Sequence, residues 1–282
     1  MPEGDTLHRI AARLEPVLAG AALTRFEAPR LLGARPSPGT TIEHVEAVGK
    51  HLLIHFAGGL TLRTHLRMTG SWHLYREGER WRKPGHLVRA RLDVPGWTAV
   101  CFSAPVVETY RRDHVGGPLG TGRDPVGHLG PDLCRVGLTD ADLDECVRRL
   151  AATGPAGTEI ADALLDQRVA CGVGNVYKSE VCWACRLDPF TPVAGVPDDL
   201  QADLIRTAHR LLVANLRTAR RTTVGPAGRG GVAVYGRAGQ PCSRCGAPVR
   251  MRRQGQHART TYWCPGCQVR PRGSAGAATR QG

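Results

Sequence analysis

Three stretches of this 282-residue chain have residue types and spacings that could do chemistry. The first is the opening Met1-Pro2-Glu3-Gly4-Asp5. Once Met1 is removed, Pro2 presents a secondary α-amine. Its ordinary pKa of about 7.7 to 8.0, against about 10.4 for lysine, leaves on the order of a few hundred times more uncharged nucleophile at neutral pH. A helix starting just beyond would depress that pKa further, because the positive end of the helix dipole disfavours an ammonium ion. Such an amine attacking a sugar C1′ gives an iminium directly, and Glu3 is placed to shuttle protons. The same residues also fit an ordinary start, since an acid before a helix is normal capping company.

The second stretch holds Cys242-Ser-Arg-Cys245 and Cys264-Pro-Gly-Cys267, a C-x2-C-x18-C-x2-C pattern that lets two turns offer four thiolates to one zinc ion. With all four positions filled by protein, the metal is structural, and the segment between the pairs reads as a short β-hairpin closed by Gly255. The third is LLDQRVACGVGNVYKSE at 164–180, where Gly172 and Gly174 form a turn and Asn175 is placed to cap the next helix. Glycines allow close backbone approach and a helix N-terminus offers free N–H groups, so this turn suits a phosphate, although an ordinary helix corner would look alike. Cys182-Trp-Ala-Cys185 has no second pair nearby and is read as packing, and Cys101, Cys134, Cys146 and Cys171 have no partner spacing.

The formal net charge is +13, and from Tyr235 to Gly282 there are nine arginines and no Asp or Glu. That asymmetry points to a polyanionic partner, nucleic acid, although a skew of 35 arginines to three lysines (Lys50, Lys83, Lys178) is also what genome base composition produces. With no apolar run of about 18 residues, and neither a basic n-region nor an apolar h-region at the start, the expectation is a cytoplasmic, nucleoid-associated protein with no membrane partner.

The elements that must position these residues follow from periodicity. Residues 5–19 carry Leu7, Ile10, Ala11, Leu14, Val17 and Leu18 at helical spacing, with Asp5 or Thr6 as cap, Pro16 as a kink and Gly20 as the stop. Strand-like runs at 41–48, 52–56, 60–66 and 71–75, and shorter ones from His86 to Val107, predict a β-sandwich or barrel-like domain. From Thr139 the pattern turns helical, at 140–152, 158–165, 175–185 and 198–220. The glycine-rich 221–234 reads as a mobile connection, and 269–282 as a disordered basic tail.

The chain resembles the Fpg/Nei family of bifunctional DNA glycosylases from end to end. The resemblance rests on seven stretches in order: MPEG at 1–4, GKHLL at 49–53, HLRMTG at 65–70, LGPDL at 129–133, the 164–180 stretch, VYGRAGQPC at 234–242 and RTTYWCPGCQ at 259–268. The MPEGDT start is similar to the endonuclease VIII branch, which prefers oxidised pyrimidines. The resemblance implies an α+β fold: an N-terminal catalytic β-sandwich with its leading helix (1–128), a helical helix-two-turn-helix domain (129–221) and a zinc-bound hairpin (235–268), with DNA in the cleft between them. It implies excision of oxidised bases, then strand cleavage by β/δ-elimination through a Schiff base on Pro2. Glu3 is then the proton donor, Lys50 assists β-elimination, Arg259 grips a phosphate and assists δ-elimination, and Asn175 contacts phosphate. Arg67 and Met68 occupy the loop that fills the gap left by a flipped nucleotide. Endonuclease VIII carries Gln-Leu-Tyr there, whereas Met68 is similar to the formamidopyrimidine branch. His128 falls where endonuclease VIII has a DNA-contacting arginine. The implied partner is damaged double-stranded DNA, the implied cofactor one structural zinc ion with no small-molecule cofactor, and the implied state a monomer. A non-catalytic DNA-binding protein, or an RNA-binding ribosomal accessory, would share the hairpin and the turn, but would not need Pro2, Glu3, Lys50 and Arg259 together.

Overall fold

The computed structural model describes residues 2–112, 124–154, 157–218, 220–225 and 230–271. Met1 and most of the tail expected at 269–282 lie outside the described residues. The chain divides into two compact units, residues 1–128 and 129–282.

In the first unit, helix α1 (Gly4–Leu18) buries Leu7, Ala11, Leu14 and Leu18, which recur on one face, as the spacing predicts. Neither Asp5 nor Thr6 caps it. The N-cap is Glu3, whose backbone oxygen accepts from the N–H groups of Thr6 and Leu7. Asp5 instead lies in the first turn, buried and 3.2 Å from Arg9, where its charge favours the helix dipole. Pro16 sits in the last turn, where it forfeits one hydrogen bond without ending the helix.

Eight strands are described: β1 (Arg25–Glu27), β2 (Ile42–Val48), β3 (His51–Phe56), β4 (Leu60–His65), β5 (Ser71–Arg76), β6 (Val88–Val94), β7 (Trp97–Phe102) and β8 (Val106–Arg111). They form two antiparallel four-stranded sheets, ordered β1-β6-β7-β5 and β2-β3-β4-β8. One apolar cluster draws on both sheets and on α1, through Leu7, Leu14, Ile42, Ile54, Phe56, Leu62, Leu92 and Cys101, so the expected sandwich and its leading helix share a core. The expected strand limits differ from these by a residue or so. β1 has no sequence forecast, because three residues are too few to show an alternation.

In the second unit, helices α2 (Asp140–Ala151), α3 (Ile160–Ala163), α4 (Asn175–Ala184) and α5 (Asp198–Ala214) surround a second core, and β9 (Arg250–Gln254) pairs with β10 (Arg259–Trp263) as the expected hairpin. Thr139 and Asp142 form a reciprocal capping box at the start of α2. Two helices are shorter than their periodicity suggests. Residues 158–159 are extended, because the backbone of 158–161 bonds to Pro189, Thr191 and Val193, which leaves α3 as a single turn. Helix α5 stops at Ala214, six residues before the expected end at 220. Asn215, almost wholly buried, donates to the oxygens of Leu211 and Thr222 and accepts from the Thr222 N–H, which pulls the chain off the helix axis.

Described parts of two segments expected to be loose make specific contacts. Glu180 of α4 is buried, and its carboxylate accepts the N–H groups of Ala233, Val234 and Tyr235 at 2.6, 2.9 and 2.8 Å, together with the Thr223 hydroxyl. At the start of the tail, Val269 exchanges backbone hydrogen bonds with Arg186 and Asp188, and Arg270 lies 3.1 Å from the Asp188 carboxylate.

Removing the Glu180 carboxylate leaves three main-chain donors without their acceptor. Glu180→Ala is therefore expected to lower the unfolding free energy by about 3 kcal/mol, measured by urea titration with circular dichroism. A loss well under about 1 kcal/mol would mean that those donors find other partners.

Candidate active site and metal centre

Pro2 is half-buried and precedes the N-terminus of α1 directly. Glu3 is wholly buried, yet its side chain makes no capping hydrogen bond to the helix it begins. The carboxylate is thus not spent on the capping role that an acid at this position ordinarily fills.

Lys50 follows Gly49 in the turn between β2 and β3, where Gly49 has φ 57. Its ammonium field falls on His51 and His65, which pair across β3 and β4 with ring centroids 4.8 Å apart. Burial, reinforced by the charges of His65, Arg63 and Lys50, pushes His51 down from 6.5 to about 3. Burial, with Arg67 and Lys50, takes His65 down to about 4. Both rings are therefore neutral at pH 7, and Arg63 Nη1 donates to His51 Nδ1 at 2.9 Å while its Nε donates to Glu108 at 2.8 Å. These imidazoles and Arg63 line a pocket of about 390 Å³ with Arg67, Asp124 and His128. Sequence reasoning missed His51 and Arg63. Their signal is the register, which sets His51 opposite His65 on β4 and Arg63 opposite Glu108 on β8.

Arg67 and Met68 stand on the turn after β4. Arg67 takes the left-handed region at φ 45, and Met68 is 67% exposed, so it is not a core methionine. Gly70 is needed in this turn, because a Cβ there would come within 2.7 Å of the Leu66 oxygen that its own N–H bonds. His128 is exposed at the pocket rim. Thus Arg67 and His128 line one pocket of the first unit, and Lys50 immediately precedes His51 of its lining.

Asn175, Arg259 and the four cysteines belong to the second unit. Asn175 is not the cap of α4, a position taken by Gly174. Its amide donates instead to the backbone oxygen and hydroxyl of Thr260, at 2.9 and 3.1 Å, and so ties α4 to the residue after Arg259. The Arg259 side chain is exposed and makes no hydrogen bond or ion pair with a described residue. Gln254 fixes the hairpin from below: its amide donates to Glu159 and the Pro189 oxygen, and its oxygen accepts from Thr261. The turn before α4 is held by Gln167, which donates to the oxygens of Leu165 and Val173 and accepts from the Gly172 N–H. Gly130, of the LGPDL stretch, leaves no room for a Cβ, which would lie 2.4 Å from the Val169 oxygen.

The four cysteines converge as their spacing predicts. The Sγ atoms of Cys242, Cys245, Cys264 and Cys267 all lie within 4.8 Å of one another, so the cluster could hold a metal ion. Burial works against the Cys242 thiolate, but donation from the Trp183 indole and from backbone N–H groups holds it down to about 6. Trp183 Nε1 and the Arg244 N–H each reach Cys242 Sγ at 3.4 Å, and the Arg244 guanidinium approaches Cys267 Sγ at 3.8 Å. Donors around sulfur are the outer partners that a thiolate–metal centre uses.

Residues 1–105 match the Formamidopyrimidine-DNA glycosylase N-terminal domain, and residues 129–225 match the Formamidopyrimidine-DNA glycosylase H2TH domain. A Streptomyces coelicolor protein named "Probable endonuclease 8 2" is 42% identical over 99% of this chain and 98% of its own length. The chain belongs to the Fpg/Nei family. It is also 37% identical to the "DNA-(apurinic or apyrimidinic site) lyase Nei2" of Mycolicibacterium smegmatis, over 95% of this chain and 99% of that protein. A Lactococcus lactis formamidopyrimidine DNA glycosylase, solved bound non-covalently to DNA containing an AP site, shares the fold at TM-score 0.76 and 22% identity, covering 95% of this chain and 100% of that one. The membership accounts for the α+β architecture and the four-cysteine hairpin. Among the described residues, no helix is long and apolar enough to cross a membrane.

The depressed imidazoles give a pH dependence with a definite sign. The unfolded chain binds more protons than the folded one between about pH 6.5 and 4, so stability is fully present above about pH 6.5 and falls as pH drops through that window. Urea midpoints measured from pH 7.5 to 4.5 are expected to fall more for the unmodified chain than for the His51→Asn, His65→Asn double variant. Parallel curves would contradict the neutral-imidazole assignment.

Proposed function

We propose that this chain removes oxidised bases, pyrimidines foremost, from damaged duplex DNA and then cleaves the strand at the abasic site. The observation that carries the reading is Glu3: a fully buried carboxylate, not used for capping, next to Pro2 at the N-terminus of α1. The preference for pyrimidines rests on the endonuclease 8 name of the relative that is 42% identical.

With Met1 removed, the Pro2 nitrogen attacks C1′ of the lesion nucleotide. The glycosidic bond breaks and the base leaves with a proton, while opening of the sugar ring, with Glu3 protonating O4′, leaves an iminium between Pro2 and C1′. Loss of a C2′ proton then expels the 3′ phosphate, and a second elimination expels the 5′ phosphate. Lys50 stands in a field of neutral imidazoles and assists the first elimination. Arg259, exposed and with no acceptor among the described residues, grips a phosphate bidentately, and Asn175 holds its strand through Thr260. Met68 and Arg67, exposed on their turn, fill the gap left by the flipped nucleotide. Cys242, Cys245, Cys264 and Cys267 would hold a zinc ion that fixes the hairpin carrying Arg259 and would take no part in bond making.

Borohydride reduction of the protein mixed with abasic duplex DNA is expected to give a covalent complex. That complex should vanish in Met1-retaining protein, and in Glu3→Gln it should persist on abasic DNA while excision of the oxidised base drops by at least about 100-fold. Trapping that proceeds with Met1 still attached would rule out the Pro2 amine.

For the metal, Cys242→Ser is expected to abolish the zinc equivalent that resists a competing chelator, and to weaken DNA binding with it. Elemental analysis and binding titration read the two effects. Retention of that equivalent by the variant would exclude the cysteine site.

A further inference from the structure

One face of the β2-β3-β4-β8 sheet carries a polar row with one side chain from each strand. His44 lies opposite His55, His55 opposite Thr61, and Thr61 opposite Tyr110. Strict alternation from the core residue Ile42 would turn His44 inward. The pairing instead slips between Ile42 and His44, so the extra residue Glu43 rotates His44 onto the face that Glu46 shares. The result is a close triad: His55 Nε2 is 3.0 Å and His44 Nε2 3.9 Å from the same Glu46 oxygen, and the two imidazole centroids are 4.0 Å apart.

We propose that His44, Glu46 and His55 form a second metal site, for zinc or a similar divalent transition ion, separate from the four cysteines. Two imidazoles and one carboxylate are a ligand set that zinc takes when it keeps one position for water. Tetrahedral bonds of about 2.1 Å place ligand atoms about 3.4 Å apart, a value that the two observed separations bracket. The set spans two adjacent strands, as His-x-Glu on β2 and a histidine directly opposite on β3, so the ion would need no backbone movement.

The buried member is already oriented. His55 is 5% exposed, and its Nδ1 lies 3.0 Å from the Thr61 hydroxyl, the outer partner that turns Nε2 toward Glu46. Thr61 in turn lies opposite Tyr110, so the row runs as far as the opposite edge of the sheet. His44 is half-exposed and stacks at 17° on His55, so it must tilt to aim its lone pair at a shared ion, which its exposure permits. Arg112 is the nearby cation. It approaches Nδ1 of His55 at 3.4 Å rather than the Nε2 that faces Glu46, and it pairs with Glu43, which offsets the guanidinium charge. Binding replaces the 3.0 Å contact between His55 and Glu46 and pins the edge strand β2 to β3.

Zinc titrated into the full chain at neutral pH against a chromophoric chelator is expected to fill two sites, a tight one and a weaker one. His44→Gln and Glu46→Gln alter solvent-accessible side chains and should abolish the weaker site alone, whereas Cys242→Ser should abolish the tight one. Cobalt gives a second readout, because the weaker site should lack the thiolate charge-transfer band that the cysteine site produces. A single equivalent in the unmodified chain would overturn the proposal, as would a second equivalent that survives in both variants with circular dichroism unchanged. The test is independent of the DNA chemistry.

Discussion

A carboxylate removed from water must be surrounded by donors or it destabilises the fold that buries it. Glu180 satisfies this condition by gathering three consecutive N–H groups, those of Ala233, Val234 and Tyr235, on the two oxygens of one side chain. Much of the second unit depends on that arrangement. Ala233 and Val234, once held, join Trp183, Cys242, Val249 and Cys264 in a small core, so the segment entering the first cysteine pair has its path set by helix α4. Trp183, one helical turn beyond Glu180, then donates to Cys242 and stacks under the Arg244 guanidinium at 3.8 Å. One helix therefore presents Asn175 to the hairpin, Glu180 to the connection and Trp183 to the thiolates. The hairpin that carries Arg259 is positioned from α4 as well as by its cysteine turns.

The first unit solves a different electrostatic problem. Its pocket is lined by Arg63, Arg67, His51, His65 and His128, with Asp124 the acid among the lining residues. If the two inner histidines were charged, the mutual repulsion would have to be borne by the β3–β4 pair. Their depressed pKa values avoid this, because neutral imidazoles accept from Arg63 and from the Arg67 N–H while the fixed charges of the arginines remain. The fixed positive character of this pocket thus comes from guanidinium groups, with Lys50 nearby, rather than from its two inner histidines.

Periodicity made the sandwich and the helices legible because each element buries one face, and the cysteine spacing made the metal cluster legible because four ligands must meet at one point. What escaped the sequence was set by single side chains acting over long separations. Asn215 ends α5 by bonding Thr222, and no local signal separates it from the helical pattern that continues past it. Asn175 looks like a cap, and the hairpin 85 residues on takes its amide. Gly172 and Gly174 stand out in the sequence, but the turn they occupy is fixed by Gln167 and by the close approach at Gly130. The slip at Glu43 is invisible in the alternation of β2 and becomes apparent only when β3 supplies a register.

The three lysines carry information because the chain uses arginine for nearly every other cation. A guanidinium cannot shed its charge, whereas an ammonium can when burial demands it. Lys178 illustrates the difference: it is fully buried on α4, its Nζ has no hydrogen-bond partner among the described residues, and burial brings its pKa down from 10.5 to about 8 against the opposing pull of Asp162. An arginine there would have to remain charged, at a desolvation cost that the surroundings do not offset. Lys83, by contrast, reaches the Ser71 hydroxyl at 2.9 Å from a partly exposed position. Lys50 falls between these cases, half-buried at a turn beside two imidazoles that burial keeps neutral, with its own field adding to the effect. In the proposed elimination it must give up and regain a proton, and a side chain with a pKa above about 12 cannot do so near neutral pH. On that argument, an arginine at position 50 would preserve the charge of the site and forfeit its chemistry.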